Sequence, residues 1–187
     1  MKTIIHMIVT LTVIGVIAGG LLFMVSDWAN PLIAANQKAE TEKAIFLVHP
    51  EAKSYEEVNV KGMEIYKVFD EQKNPAGYSL VYEGNGFQGK IRLMLGLSND
   101  LNKISSIEIL EQVETPGLGS RVTEDLFKKQ FKGLETSPKV NWVKNEEPDS
   151  PNEIQAITGA TISSKSVVAI INNGIAQARQ LKERGQL

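Results

Sequence analysis

The chain has 187 residues and a formal net charge of −2, with 20 basic and 22 acidic side chains interspersed along it. No basic face or arm stands out that would neutralise nucleic-acid phosphates, so we expect no nucleic-acid partner. Cysteine is absent, which excludes disulfides, thiolate-held zinc and iron–sulfur clusters held by this chain. The two histidines, His6 and His49, have no second ligand at metal-binding spacing, so we expect no metal site.

The N-terminus begins with an uncharged apolar stretch, residues 4–25. As a helix this stretch is long enough to cross a hydrocarbon core of ~30 Å, so we predict a transmembrane anchor over residues 1–27. Lys2 before the stretch and Asp27 after it favour a cytoplasmic N-terminus and an exported body. A cleaved signal peptide is the alternative, which the small Ala34-Ala35 pair keeps open.

A second helix is expected directly after the anchor. Asn30 is a suitable cap and Pro31 suits the first helical position. Apolar and charged residues then alternate as far as His49-Pro50, which ends the helix because the residue before a proline is pushed out of helical geometry. We interpret residues 28–50 as a linker helix between the membrane and the folded domain, residues 51–187.

The following region has the period-two pattern of strands. Residues 65–69 and 76–82 predict a β-hairpin, and residues 91–97 and 104–113 predict two further strands. The connections are too short for helical crossovers, so the sheet should be antiparallel. Residues 84–89 are rich in glycine but lack the strand-loop-helix context of a nucleotide-binding loop, and we interpret them as a turn.

An unusual loop follows these strands, Glu114-Thr115-Pro116-Gly117-Leu118-Gly119. Its proline fixes one backbone angle, and its glycines permit conformations or close approaches that a side chain would forbid. On turn chemistry alone it could also be a plain strand-to-helix connection. A helix is predicted next, ended by Gly133, and a short strand over 140–143. The apolar face of that helix would consist of Val122, Leu126, Phe127 and Phe131.

The last motif opens the final predicted helix, residues 163–184. Its sequence is Thr158-Gly159-Ala160-Thr161-Ile162-Ser163-Ser164. Hydroxyl side chains at a helix start satisfy free N–H groups, and the positive end of the helix dipole favours an anion such as a phosphate. An ordinary N-cap is the alternative. An apolar stripe at helical spacing should pack on the sheet, and it comprises Val167, Val168, Ile171, Ile175, Ala178 and Leu181.

Together these elements predict an α+β protein, with a transmembrane helix and a linker helix before an antiparallel-sheet domain with packed helices. Three short motifs behind one membrane span resemble, in order and spacing, those of the covalent FMN-binding domain family. Within it the chain looks most like the G subunits of the Rnf complex, a membrane-bound ion-translocating ferredoxin:NAD oxidoreductase. The C subunit of the sodium-translocating NADH:quinone reductase is similar. The motifs are the Gly86-Phe87-Gln88-Gly89 turn, the 114–119 loop and the 158–164 segment.

The resemblance implies an electron-transfer flavoprotein subunit. FMN would be joined to Thr161 by a phosphoester bond that a dedicated flavin transferase makes, so that Thr161 is a tether and not a catalytic residue. Thr158 and Ser164 would contact the phosphate or cap the helix. Gly159 and Ala160 would leave room for the phosphate. The rest of the implied cofactor-binding set belongs to the loop that would line the flavin: Glu114, Thr115, Pro116, Gly117, Leu118 and Gly119.

The resemblance also implies partners and a place in the cell. The partners would be the other subunits of the redox complex, and the domain would lie outside the inner cell membrane. The family often has an acidic residue three or four positions before the motif, where this chain has Gln155 and Ile154. Two alternatives stay open: a stand-alone extracellular FMN-dependent reductase or electron-transfer domain, and a non-redox ectodomain with a capped helix.

Overall fold

A computed structural model of the protein describes residues 1–60 and 62–187. The chain divides into two compact units, Met1–Glu40 and Thr41–Leu187. The helices are α1 (Lys2–Val48), α2 (Asp125–Lys128) and α3 (Thr161–Glu183), and the strands are β1 (Ser54–Val60), β2 (Met63–Phe69), β3 (Pro75–Asn85), β4 (Lys90–Leu97), β5 (Ile104–Gln112), β6 (Asn141–Val143) and β7 (Glu153–Gln155).

The first unit consists of most of α1. Its apolar side chains are exposed, and α1 is the one helix among the described residues that is long and apolar enough to cross a membrane. The expected start of a separate helix at Pro31 is wrong, since α1 continues through Pro31. A proline inside a helix removes one hydrogen bond and crowds the preceding turn, but the Ala, Gln, Lys and Glu residues that follow have strong helix propensity. The domain boundaries after residues 27 and 50 stay predictions.

The second unit is built on an antiparallel sheet with the strand order β1-β2-β3-β4-β5. Each strand pairs with the next along the chain, as in Leu80 opposite Leu95 and Leu95 opposite Ile107. The sequence-based strands are therefore confirmed. Of the turn predicted over residues 84–89, Gly84 and Asn85 belong to β3, and residues 86–89 form the turn. The meander follows from connections too short for any other pairing.

Both faces of the sheet are buried. Successive side chains of a strand point to opposite faces, so Leu93 and Leu95 of β4 pack in the cluster that includes α3, while Met94 packs with Ile45 and Val48 from the last turns of α1. The predicted stripe of α3 is confirmed, since all six of its residues are buried. This packing fixes the start of α3 beside the sheet.

The region between β5 and α3 differs from the prediction. Instead of one helix it has a 3-10 segment Gly119–Thr123, the single turn α2, and a second 3-10 segment Lys129–Phe131. Leu126 was expected on the apolar face, but it is 79% exposed. The reason is that Phe127 and Phe131 both face the core, with ring centroids 5.3 Å apart, and a helical residue next to Phe127 then points away. Gly133, with φ of 77°, ends the region as predicted.

A second, two-stranded sheet was only half predicted. Strand β6 pairs in parallel with β7, as in Trp142 opposite Ile154. No strand was expected over Glu153–Gln155, because three residues are too few for a readable alternation. The pairing places the chain that leads into the 158–164 motif beside the loop that follows β6.

Candidate functional site

A cleft of about 480 Å³ lies where the three motifs meet. Seven predicted site residues line it: Thr115, Leu118, Gly119, Thr158, Gly159, Ala160 and Thr161. Five lining residues were not predicted: Phe87, Lys144, Asn145, Ile162 and Ser163. The cleft thus brings together the β3–β4 turn, the loop after β5 and the start of α3, which are far apart in the sequence.

Thr161 is the first residue of α3 and is half-buried in the wall of this cleft. The N-cap is Ala160, and no side-chain cap is present among the described residues. The capping alternative for Thr158 and Ser164 is therefore wrong. The first turn of a helix has N–H groups without an intrahelical acceptor, and here these groups remain free to meet a ligand.

The missing cap is explained by Ala160 at the N-cap position, which has no side-chain acceptor, while the two serine hydroxyls of the motif lie within α3 and bond elsewhere. The Ser163 hydroxyl donates to Oε2 of Glu114. The Ser164 hydroxyl donates to the Ala160 carbonyl at 3.0 Å and accepts from the Ile157 N–H at 3.0 Å. Ser164 is fully buried, so it supports the motif from beneath and does not line the cleft.

Glu114 is the centre of the hydrogen bonding behind the cleft. It is only 4% exposed, and its Oε1 accepts from the backbone N–H groups of Phe87 at 2.8 Å and Gln88 at 3.0 Å. Burial would raise the pKa of this carboxyl, but the hydrogen bonds from Ser163 and the 87–89 backbone hold the pKa below its ordinary value. One ionised carboxylate therefore joins all three motifs.

Two glycines are required by the closeness of this carboxylate. A Cβ on Gly119 would lie 2.6 Å from the Ser163 hydroxyl oxygen and 2.7 Å from Oε2 of Glu114. A Cβ on Gly86 would lie 2.9 Å from the Gly89 carbonyl oxygen and closer still to Oε1 of Glu114. Real Cβ atoms do not come so near to other atoms, so packing against Glu114 explains why Gly86 and Gly119 are glycines.

The remaining predicted residues shape the loop without lining the cleft. Gly117 has φ of 73°, which a side chain would disfavour, and its N–H donates to the Ser120 hydroxyl at 2.9 Å. Pro116 is exposed beside it. The Leu118 N–H closes the turn on the Thr115 carbonyl at 3.1 Å. The turn directs Leu118 toward the cleft.

The chemistry of the lining suits a flat apolar ring that bears an anionic group. Phe87, Leu118 and Ile162 are 62%, 50% and 56% exposed and form an apolar rim. Large apolar side chains left in water at the mouth of a cleft commonly mark a binding site. Lys144 is the one charged side chain among the lining residues, and it lies in the same cleft as the uncapped start of α3.

The region that forms the cleft matches a known protein family. Residues 86–176 match the model of the FMN-binding domain, a range that contains all three motifs. The chain is 31% identical to the G subunit of the ion-translocating oxidoreductase complex of Methanosarcina acetivorans over 182 residues, which cover 93% of this chain and 94% of that protein. It is 28% identical to the G subunit of the proton-translocating ferredoxin:NAD(+) oxidoreductase complex of Clostridium ljungdahlii, with 89% and 87% covered.

The fold has a solved counterpart as well. The C subunit of the Na(+)-translocating NADH-quinone reductase of Parabacteroides distasonis superimposes with a TM-score of 0.59, covering 75% of this chain and 91% of that one at 21% identity. This likeness concerns the fold alone. The similarity over almost the full length places the chain in a family: it belongs to the G subunits of ion-translocating oxidoreductase complexes, with an FMN-binding domain.

Proposed function

We propose that this chain is the electron-transfer flavoprotein subunit of a membrane-bound ion-translocating ferredoxin:NAD oxidoreductase complex, and that it carries FMN on Thr161. The observation that carries the proposal is the cleft itself. It is built from the three motifs of the FMN-binding family, and Thr161 stands in its wall at the uncapped start of α3.

The residues present fit FMN. A volume of about 480 Å³ is in the usual range for a cofactor pocket. The apolar rim of Phe87, Leu118 and Ile162 suits the isoalloxazine ring, and the first N–H groups of α3 together with Lys144 suit the phosphate. Bound FMN supplies the redox chemistry, while the protein sets the position and exposure of the ring.

The covalent link is proposed at one oxygen atom. Oγ1 of Thr161 forms a bond to the flavin-bearing phosphorus of a flavin pyrophosphate donor, and the bond from that phosphorus to the departing nucleoside monophosphate breaks. The hydroxyl proton of Thr161 is taken up by a base of the flavin transferase, and no electrons are exchanged. Small Gly159 and Ala160 beside Thr161 leave room for the transferase, which supports this choice of oxygen.

The chain is a single-pass membrane protein, since α1 is its one described membrane-crossing helix and its relatives are named as translocating complexes. We propose that the N-terminus is cytoplasmic and that the flavin domain lies outside the membrane, because Lys2 precedes the apolar stretch. The domain would pass electrons to and from the other subunits of the complex on that side.

The test replaces Thr161 in the assembled complex. Membranes that contain Thr161→Val chains should lose ferredoxin-dependent NAD reduction, because the tether oxygen is gone. Thr123→Val is the matched control, since Thr123 is an exposed threonine outside the cleft lining, and it should keep the activity. Equal activity of wild type and Thr161→Val, with the chain present in equal amount, would refute the proposed function.

A further inference from the structure

We infer that Glu114 is the positioning residue of the FMN site: its carboxylate fixes the β3–β4 turn, the loop after β5 and the first turn of α3 relative to one another, and so presents Thr161 for flavin attachment. The inference rests on the proposed function. It assigns Glu114 a role different from lining the cleft, which Glu114 does not do.

The two walls of the cleft are joined through Glu114. Phe87 stands on one wall, and its N–H donates to Oε1 of Glu114. Thr161 and Ile162 stand on the other wall, in the turn of α3 whose Ser163 donates to Oε2. The width of the cleft therefore depends on the two oxygens of a single buried side chain. A second bond between the motifs, from the Thr115 hydroxyl to the Gln88 side chain at 2.8 Å, lies at the exposed surface.

Glu114 also fixes the position of the first turn of α3. Ser163 is the third residue of that turn, and its hydroxyl donates to the carboxylate, because an ionised carboxylate only accepts. The Ala160 N–H is already bonded to the Ile157 carbonyl at 2.9 Å. The N–H groups of the residues after Ala160, where the phosphate is proposed to bind, therefore belong to a turn that Glu114 holds in place.

Two substitutions of Glu114 separate its geometry from its charge. In Glu114→Gln the amide oxygen can keep the two backbone N–H groups, and the amide nitrogen can donate to the Ser163 oxygen. That variant keeps the three segments together and frees the Ser163 proton. Glu114→Ala removes every one of these bonds. A positioning role therefore predicts that Glu114→Ala is far more damaging than Glu114→Gln.

The experiment measures the rate of flavin attachment to the full chain in detergent, by intact mass, with purified flavin transferase and a flavin pyrophosphate donor. Glu114→Ala should slow attachment at least about tenfold, since a misplacement near 1 Å has effects of this size or larger. Glu114→Gln should stay closer to wild type. In chains that become loaded, the visible circular dichroism of the flavin should change in Glu114→Ala, because the ring is held differently.

The control separates positioning from stability. Leu181→Ala empties a buried position near the end of α3 remote from Thr161, and it should lower Tm without slowing attachment. If Glu114→Ala does not fold, Ser163→Ala replaces it as the test variant, and it should slow flavin attachment by itself. In Glu114→Gln chains, adding Ser163→Ala should cost less than it does in wild type, because it removes a neutral hydrogen bond there and a bond to a charged carboxylate in wild type.

The outcomes are distinct. Attachment to Glu114→Ala at the wild-type rate with an unchanged dichroism overturns the inference, as does a Leu181→Ala chain that is slowed as much as Glu114→Ala. A wild-type chain that takes no flavin refutes the proposed function itself, whatever the variants do.

Discussion

The buried carboxylate of Glu114 makes the stability of the domain depend on pH in a predictable way. Its pKa in the folded state lies below the ordinary value of 4.5. A group of this kind contributes stability that is fully present above its unfolded pKa and is lost as pH falls through its folded pKa. We therefore expect Glu114→Gln to be least stable relative to wild type near neutral pH and to approach wild type in acid.

The size of the stability loss in Glu114→Gln follows from the hydrogen bonds that the carboxylate accepts. Hydrogen bonds to a charged group contribute about 1.5–3 kcal/mol, against about 0.5–1.5 kcal/mol between neutral groups. Ser163 is buried, so its bond counts fully, whereas Phe87 and Gln88 are exposed and water can replace part of theirs. The loss in Glu114→Gln should be about 1–3 kcal/mol, which for a domain of this size is roughly 2–4 °C in Tm per kcal/mol.

The assay is thermal unfolding of the full chain in detergent, followed by near-ultraviolet circular dichroism between neutral pH and pH values below the ordinary glutamate pKa of 4.5. Glu83→Gln is the matched control, because Glu83 is exposed and pairs with Lys90 at the surface, where ion pairs contribute about 0–1 kcal/mol. A gap between wild type and Glu114→Gln that stays constant or widens in acid would refute the reasoning.

Further predictions concern the cleft and the helix. Lys144→Gln should slow flavin attachment, because it removes the cation that is proposed to meet the phosphate. Lys139→Gln, an exposed lysine outside the cleft lining, should leave the rate unchanged in the same mass assay. Gly119→Ala should lower the free energy of unfolding in denaturant by about 1–3 kcal/mol through overpacking, and intact mass should show no flavin attachment. Gly117→Ala should lower the free energy of unfolding by about 1–2 kcal/mol through its positive φ alone and should keep flavin attachment. A chain without the membrane-crossing part of α1 should stay folded and soluble by gel filtration, whereas removal of the last turns of α1 as well should lower Tm, since these turns cover one face of the sheet.

The regular part of the fold was predictable because its signals are local. The mostly apolar residues 91–97 predict a strand, the stripe from Val167 to Leu181 predicts a helix with one buried face, and both predictions were confirmed. The helix start predicted at Pro31 was wrong, because a proline that starts a helix and a proline inside a helix have the same local sequence signal. They differ only in whether the residues before the proline are already helical. The turns between Gly119 and Phe131 were misjudged because apolar spacing does not distinguish one helix from several short ones.

The motifs of the candidate site could be predicted from the sequence, but the hydrogen bonds that join them could not. The 158–164 and 114–119 segments stood out by their glycines and hydroxyls, and nine of their residues line the cleft. That Glu114 would bind Ser163, 49 positions further along the chain, depends on how the sheet and α3 pack. The capping prediction failed because α3 begins at Thr161, which leaves Ala160, a residue without a side-chain acceptor, at the N-cap position.

The most direct measurement is the mass of the full chain purified from cells that co-express a flavin transferase, followed by fragmentation of the peptide that contains residues 158–164. Wild type should carry one FMN group on Thr161, and Thr161→Ala should carry none. An unmodified wild-type chain, or flavin retained covalently in Thr161→Ala, would contradict the central claim.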